Sequence, residues 1–148
     1  MSDNLKRREV ASKYKARITN PEIILPEAIQ EDGHIWHVFV IRTKRRDALQ
    51  EHLKRDGIQT LIHYPIPPHL QKAYRELGYK KGDFPITEEI ADTCLSLPIY
   101  PGLSDEEINY VCDSIKNFFR HSISILGVER GPIFTMYESI GSLGYLSF

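Results

Sequence analysis

Two strand-like segments on either side of one helix constrain this chain more than any other feature of its sequence. Residues 35–41 are rich in β-branched and aromatic side chains at both alternating positions, which is typical of a strand covered on both faces. Thr43 stands where a helix cap is expected, and Gly57 stands where a helix ends in a left-handed residue. Residues 58–64 alternate as a second strand does. The predicted central unit is therefore strand, helix, strand.

Helical patterns occupy much of the remaining sequence. Residues 3–18 predict a one-sided helix with a basic outer face, and residues 69–77 predict a short helix closed by Gly78. A further helix is expected to begin at a Thr87 cap and to include Cys94. Ser104 and Glu107 have the spacing of a capping box, which begins the clearest amphipathic helix. The pattern as a whole predicts a small α+β domain.

Composition excludes several classes of protein. In 148 residues, 19 basic and 20 acidic side chains give a net charge of −1, so no global field would attract nucleic acid or an anionic membrane. The N-terminus is charged, and no apolar run approaches the roughly 20 residues of a membrane span. Cys94 and Cys112 show no Cys-x-x-Cys spacing, which favours reduced thiols. These features predict a soluble cytoplasmic protein without a membrane span.

The last segment differs in character from the rest. Residues 121–148 contain only Glu129, Arg130 and Glu138 as charged side chains, among many apolar ones. Residues 133–137 have the composition of a strand, which would be prone to pairing or aggregation if exposed. We therefore expect one domain over residues 1–120 and a separate apolar tail over residues 121–148.

The candidate functional residues follow the second predicted strand, between His63 and Gln71. A rigid turn with three prolines separates His63 from His69, and such loops often line a ligand cleft. A histidine beside a proline turn is, however, more often a structural hydrogen-bonding group. The spacing matches no common zinc pattern, so no metal site is expected. Neither Ser96 nor Ser104 lies in a Gly-x-Ser-x-Gly motif, so neither is expected to be a nucleophile.

Four ordered segments carry a resemblance to a known family. They are Trp36-His-Val-Phe-Val-Ile-Arg42, Leu49-Gln-Glu-His-Leu-Lys-Arg-Asp-Gly-Ile58, Ile62-His-Tyr-Pro-Ile-Pro-Pro-His-Leu-Gln71 and Cys94-Leu-Ser-Leu-Pro-Ile-Tyr-Pro-Gly-Leu-Ser-Asp-Glu-Glu107. In this order and at these distances they resemble the DegT/DnrJ-type sugar aminotransferases, over residues 5–119. The fold implied is the C-terminal small domain of fold-type I pyridoxal phosphate (PLP) aminotransferases, a small antiparallel or mixed sheet with helices on one face.

The resemblance also implies a chemistry. Such enzymes use a lysine-bound PLP to move an amino group onto a keto group of a nucleotide-linked sugar. In the family the lysine and the other cofactor contacts lie in a large domain, which would precede Asn4, so this chain alone is expected to bind no PLP. The implied contribution of this segment is substrate binding. His63 and Tyr64 would contact sugar hydroxyls or phosphates at the mouth of the active site.

Two hypotheses of function follow. The first is a portion of a nucleotide-sugar aminotransferase in deoxyamino-sugar, surface-polysaccharide or lipopolysaccharide biosynthesis, inactive alone and acting as a homo-oligomer or with a large-domain chain. The second is a non-enzymatic interaction or dimerisation module on the same scaffold, docking through the apolar tail. Deleting residues 121–148 separates them, because tail docking predicts a change in oligomer size or solubility.

Overall fold

The computed structural model describes residues 2–28, 30 and 33–125, with side chains described as far as Arg120. Its regular elements are α1 (Asp3–Arg17), β1 (Phe39–Arg42), α2 (Arg46–Arg55), α3 (Pro85–Thr93), β2 (Cys94–Leu97) and α4 (Asp105–Ile125). In place of the one short helix predicted over residues 69–77, two short 3-10 helices, Pro68–Leu70 and Lys72–Leu77, lie between α2 and α3. The strand predicted at residues 133–137 lies outside the described residues. None of the described helices combines the length and the apolar character needed to cross a membrane.

The sheet consists of two antiparallel strands, and this confirms the α+β fold class. Phe39 of β1 pairs with Leu97 of β2, and Ile41 pairs with Leu95. Because side chains alternate along a strand, these four residues lie on one face. All four are at most 3% exposed. That face forms one wall of the core.

The helices complete the core from the same side. Buried side chains of α1, α2 and α4 form one hydrophobic cluster with this face of the sheet. From the helices, the cluster includes Val10, Ala11, Tyr14, Leu49, Leu53, Ile108, Val111, Cys112, Ile115 and Phe119. The Tyr14 hydroxyl donates to the carbonyl oxygen of Pro98 at 2.9 Å, and burial raises the Tyr14 pKa. The predicted stripes of the first and last helices therefore meet across the end of β2.

Both strand predictions need correction. The first strand begins at Phe39 and not at residue 35, because Trp36 has a left-handed φ of 50° that interrupts an extended chain. The second predicted strand is wrong. Within residues 58–64 only Leu61 pairs, as an isolated bridge to Ser96.

The true partner of β1 was predicted to be helical. Cys94 and Leu95 belong to β2, whose four residues are all buried. A short apolar run has no distinctive periodicity, so sequence does not separate a buried strand from a buried helix turn. The strands that pair are thus separated by 51 residues along the chain, from Arg42 to Cys94.

The helix boundaries follow the predicted capping chemistry in most places. Ser104 Oγ accepts from the Glu107 amide at 3.2 Å, and Glu107 Oε2 accepts from the Ser104 amide at 2.8 Å, which confirms the capping box. Gly57 and Gly78 have the left-handed φ values expected after a helix, 77° and 75°. Thr43 is not the cap of α2, because Arg45 holds that position and makes no side-chain cap bond. Thr87 is not a cap either, because α3 begins at Pro85. Proline suits that first position, since its missing N–H would be unpaired there.

Candidate functional site

A mainly apolar groove of about 870 Å³ lies beside β2. It is bounded by the chain from Gly57 to His63 on one side and by the first turns of α4 on the other. The polar side chains in its lining are those of His37, Gln59, His63, Ser96, Tyr100, Glu106, Glu107 and Tyr110. A concave, apolar site with a few polar groups is the usual form of a small-molecule site.

His63 lies at the point where the chain leaves the sheet for the proline turn. Its Nδ1 is 2.8 Å from the hydroxyl oxygen of Ser96, which is 5% exposed. The carbonyl oxygen of His63 accepts a weak bond from the Cys94 thiol at 3.9 Å. Both partners belong to β2, so the sheet holds His63 in place at the edge of the groove.

Tyr64 follows His63 through a cis peptide bond. Its ring lies edge-on to the His63 imidazole at a centroid distance of 5.5 Å, and it is 70% exposed. Tyr64 is not part of the groove lining. The two residues predicted to bind substrate are therefore neighbours, with one lining the groove and one projecting into solvent.

The rest of the predicted cluster serves the structure of the loop. His69 Nε2 lies 3.0 Å from Oε1 of Glu88, and the His69 ring packs on Phe84 at 4.8 Å between centroids. The Gln71 side chain donates to the carbonyl oxygen of Ile66 at 3.1 Å. Because these contacts are internal to residues 66–88, His69 and Gln71 do not join His63 at the groove.

Glu88 holds this loop together through hydrogen bonds, and this role predicts that the stability of the fold depends on pH in the acid range. The Gly82 amide and then the His69 imidazole, both bonded to Oε1, hold the pKa of Glu88 below its usual value. A lowered folded-state pKa stabilises the fold above the unfolded carboxyl pKa of about 4.3, and the contribution is lost as pH falls through the folded value. We expect Glu88→Gln to lose stability at pH 7 and to be less sensitive than wild type to acid.

The measurement is urea unfolding of both proteins at pH 7 and below pH 4, with the Gly82 amide shift as a local probe. Glu76→Gln is the control, because Glu76 is an exposed carboxylate in the same loop. Identical losses on acidification in wild type and Glu88→Gln would contradict the assignment.

The described residues also include a buried thiol, Cys112. Burial raises the pKa of the Cys112 thiol to about 11, which keeps it protonated and unreactive at neutral pH. Among the described residues, no group of three His, Cys, Asp or Glu side chains is placed to hold a metal ion.

The groove does not fit PLP as the cofactor's own site. Among the described residues, no lysine lines it to bind the aldehyde, and no lysine or arginine lines it to hold the phosphate. Glu106 and Glu107 add carboxylates instead. A doubly charged phosphate is bound by cations or helix N-termini. The described lining has no cation, and at the N-terminus of α4 the Glu107 amide is already bonded to Ser104 Oγ and the Glu106 and Glu107 carboxylates line the groove.

Of the eight polar side chains in the groove lining, only His63 was predicted from the sequence as a site residue, and His37 and Ser96 are two of those missed. His37 was assigned to strand packing, but it is exposed and lines the groove, whereas its neighbour Trp36 is buried as predicted. Ser96 was considered only as a nucleophile, and its contact with His63 spans 33 positions. Its position within Leu95-Ser-Leu-Pro98, one of the segments that carry the resemblance, was the available signal.

Comparison with known proteins decides the family. The model of the DegT/DnrJ/EryC1/StrS aminotransferase family matches residues 2–116. The chain belongs to this family. That membership confirms the resemblance found in the sequence.

Two relatives illustrate the DegT/DnrJ/EryC1/StrS match. The dTDP-3-amino-3,6-dideoxy-alpha-D-galactopyranose transaminase of Aneurinibacillus thermoaerophilus is 47% identical over 116 residues, which are 78% of this chain and 31% of that enzyme. The crystal structure of Streptomyces venezuelae DesV in complex with a ketimine intermediate superposes with a TM-score of 0.75 at 38% identity, over 78% of this chain and 32% of DesV.

A third member of the family was solved with a cofactor. The structure of NtdA from Bacillus subtilis, which contains bound PMP, gives a TM-score of 0.70 at 31% identity, over 80% of this chain and 28% of NtdA. This chain thus spans about a third of the length of the relatives that it matches.

Proposed function

We propose that this chain forms the C-terminal part of a PLP-dependent aminotransferase. Its substrate would be a keto nucleotide-sugar, in deoxyamino-sugar and polysaccharide biosynthesis. Family membership over residues 2–116 carries the proposal, and the relative at 47% identity is itself named a dTDP-amino-sugar transaminase. Because the match covers only 31% of that relative, the activity belongs to a larger unit than residues 2–116.

In this proposal the chain alone binds no PLP and transfers no amino group. The supporting observation is the chemistry of the groove, to which the described part of the chain contributes carboxylates and no lysine or arginine. The complementary large domain, in the same polypeptide or another, would supply the lysine. It is also the partner that we propose for the chain, in a cytoplasmic, homo-oligomeric enzyme.

His63 and Tyr64 are the proposed contribution of this chain to substrate binding. His63 lines the groove and keeps one ring nitrogen, Nε2, without a partner among the described residues. Tyr64 offers an exposed aromatic face and a hydroxyl next to it. A flat ring and two polar groups suit a ligand that combines a sugar with a nucleotide.

The first test uses the chain alone with PLP. We expect no stable absorbance band from a lysine-bound cofactor and no pyridoxyl-lysine peptide after borohydride reduction. A band that borohydride fixes onto one specific lysine of this chain would contradict inactivity of the chain alone.

The second test places residues 2–116 in a complete enzyme, replacing the corresponding third of the Aneurinibacillus transaminase. Replacing His63 by Ala or Tyr64 by Phe is expected to lower kcat/KM about tenfold, the effect of one hydrogen bond worth about 1.4 kcal/mol. Tyr74→Phe is the matched control, because Tyr74 is an exposed tyrosine of the same loop but, unlike Tyr64, has no described ring contact with His63. Wild-type kcat/KM for both variants in an active chimera would refute the substrate-binding roles.

A further inference from the structure

Ser96 occupies an unusual position for a serine. It lies within β2 with 5% of its surface exposed, and it exchanges both backbone hydrogen bonds with Leu61, at 3.2 Å and 2.7 Å. His63 stands two positions after Leu61, so this bridge brings the bend at His63 close to Ser96. The backbone bridge therefore sets the distance between the Ser96 hydroxyl and the His63 ring.

The numbers of donors and acceptors on the Ser96 hydroxyl and the His63 imidazole bear on which of the two groups donates the hydrogen bond. A serine hydroxyl has one proton to donate, and a neutral imidazole has one nitrogen that donates and one that accepts. If Nδ1 carried the ring proton, the hydroxyl proton of buried Ser96 would need another acceptor. His63 is the only side-chain partner of Ser96 Oγ among the described residues. Because a buried donor without an acceptor is costly, this count favours donation from Ser96 to Nδ1.

We propose that Ser96 is a positioning residue that holds neutral His63 in the tautomer protonated on Nε2. His63 then presents a hydrogen-bond donor, and not an acceptor, to the groove. The ring cannot turn over without breaking the bond to Ser96, and Tyr64 packs against it at 5.5 Å. The part of this inference that concerns substrate rests on the proposed function.

The charge of the groove indicates which kind of acceptor binds the Nε2–H donor of His63. Glu106 and Glu107 line the same groove, and no lysine or arginine within residues 2–28, 30 and 33–120 does. A phosphate would be repelled by the carboxylates without a compensating cation. The part of the groove that the described residues form therefore favours a neutral oxygen as the acceptor for Nε2–H, a hydroxyl or carbonyl oxygen of the sugar.

The test of the tautomer is a long-range ¹H–¹⁵N correlation spectrum of the full chain, at a pH where His63 is neutral. The His63 signals are assigned by their loss in His63→Gln. We expect the Nδ1 shift of an unprotonated acceptor nitrogen and the Nε2 shift of a protonated one. A wild-type spectrum with the proton on Nδ1, or an even mixture of tautomers, would overturn the proposal without any variant.

Two variants test the part played by Ser96. Ser96→Ala removes the donor and is expected to give a mixture of tautomers, whereas Ser96→Thr keeps a hydroxyl on a β-branched residue suited to a strand and is expected to retain the wild-type tautomer. An unchanged tautomer in folded Ser96→Ala, or a mixture in folded Ser96→Thr, would refute the positioning role. If Ser96→Ala does not fold, the wild-type and Ser96→Thr spectra decide.

Inorganic phosphate tests the predicted ligand class. Titration into the full chain is expected to leave the His63 nitrogen shifts unmoved, and a saturable shift of Nε2 would overturn the assignment to a neutral oxygen.

The chimera distinguishes failure of this inference from failure of the proposed function. If His63→Ala has normal kcat/KM while the spectra show the Nε2–H tautomer, the proposed substrate contact fails and the positioning role stands. If His63→Ala is impaired but the proton is on Nδ1, only the positioning role fails. If both hold, Ser96→Ala is expected to raise KM about threefold, with no further effect in the His63→Ala background.

Discussion

Replacing Phe39 with alanine is expected to destabilise the fold by about 3–5 kcal/mol, the usual cost of removing a buried phenylalanine. Phe39 is 0% exposed, and its ring lies 5.1 Å from that of Tyr14 and 5.7 Å from that of Trp36, between centroids. It thus joins α1, β1 and the segment before β1. Small domains have only about 5–15 kcal/mol of stability in total, so a large unfolded fraction is expected on mild warming.

The control for Phe39→Ala lies in the next position of the same strand. Val40 projects to the opposite face and is half-buried, so Val40→Ala is expected to cost about 0.5–1.5 kcal/mol. Urea unfolding followed by circular dichroism measures both variants. Equal losses would show that the core does not lie on the Phe39 side of the sheet.

Replacing Arg46 with alanine is expected to cost about 2–3 kcal/mol, because hydrogen bonds from charged donors contribute more than neutral ones. Arg46 stands at the start of α2, with its side chain 11% exposed. Its Nη1 donates to the carbonyl oxygens of Ala91 at 3.1 Å and Cys94 at 3.3 Å. These carbonyls lie where α3 ends and β2 begins, so Arg46 joins α2 to the strand that carries Ser96.

Two further variants separate geometry from charge at this position. Arg46→Lys keeps the charge but lacks the planar fork of donors, so it is expected to recover less than half of the loss. Lys54→Ala removes one positive charge from an exposed position of α2 and is expected to change stability by less than about 0.5 kcal/mol. If Arg46→Ala were no worse than Lys54→Ala, the two carbonyl bonds would contribute nothing to stability.

The helices were predictable because their signals are local. The stripe of Val10, Ala11 and Tyr14 and the reciprocal caps of Ser104 and Glu107 depend on neighbours within one or two turns. The strands depend on a distant partner. Residues 58–64 have a strand pattern as good as that of residues 35–41, yet the antiparallel partner of β1 is Cys94–Leu97.

For the candidate site, the sequence identified candidate residues, and the fold determined which residues contact one another. The sequence by itself determined the family and the α+β class, and it pointed to His63 and Tyr64 as candidate site residues. It could do so because ordered motifs and local periodicity are properties of the chain. Only the tertiary structure decided that β2 pairs with β1, that His69 turns to Glu88, and that Ser96 bonds to His63. These contacts join residues 19 to 58 positions apart. They form because burial in a shared core selects one pairing among many that local pattern leaves equivalent.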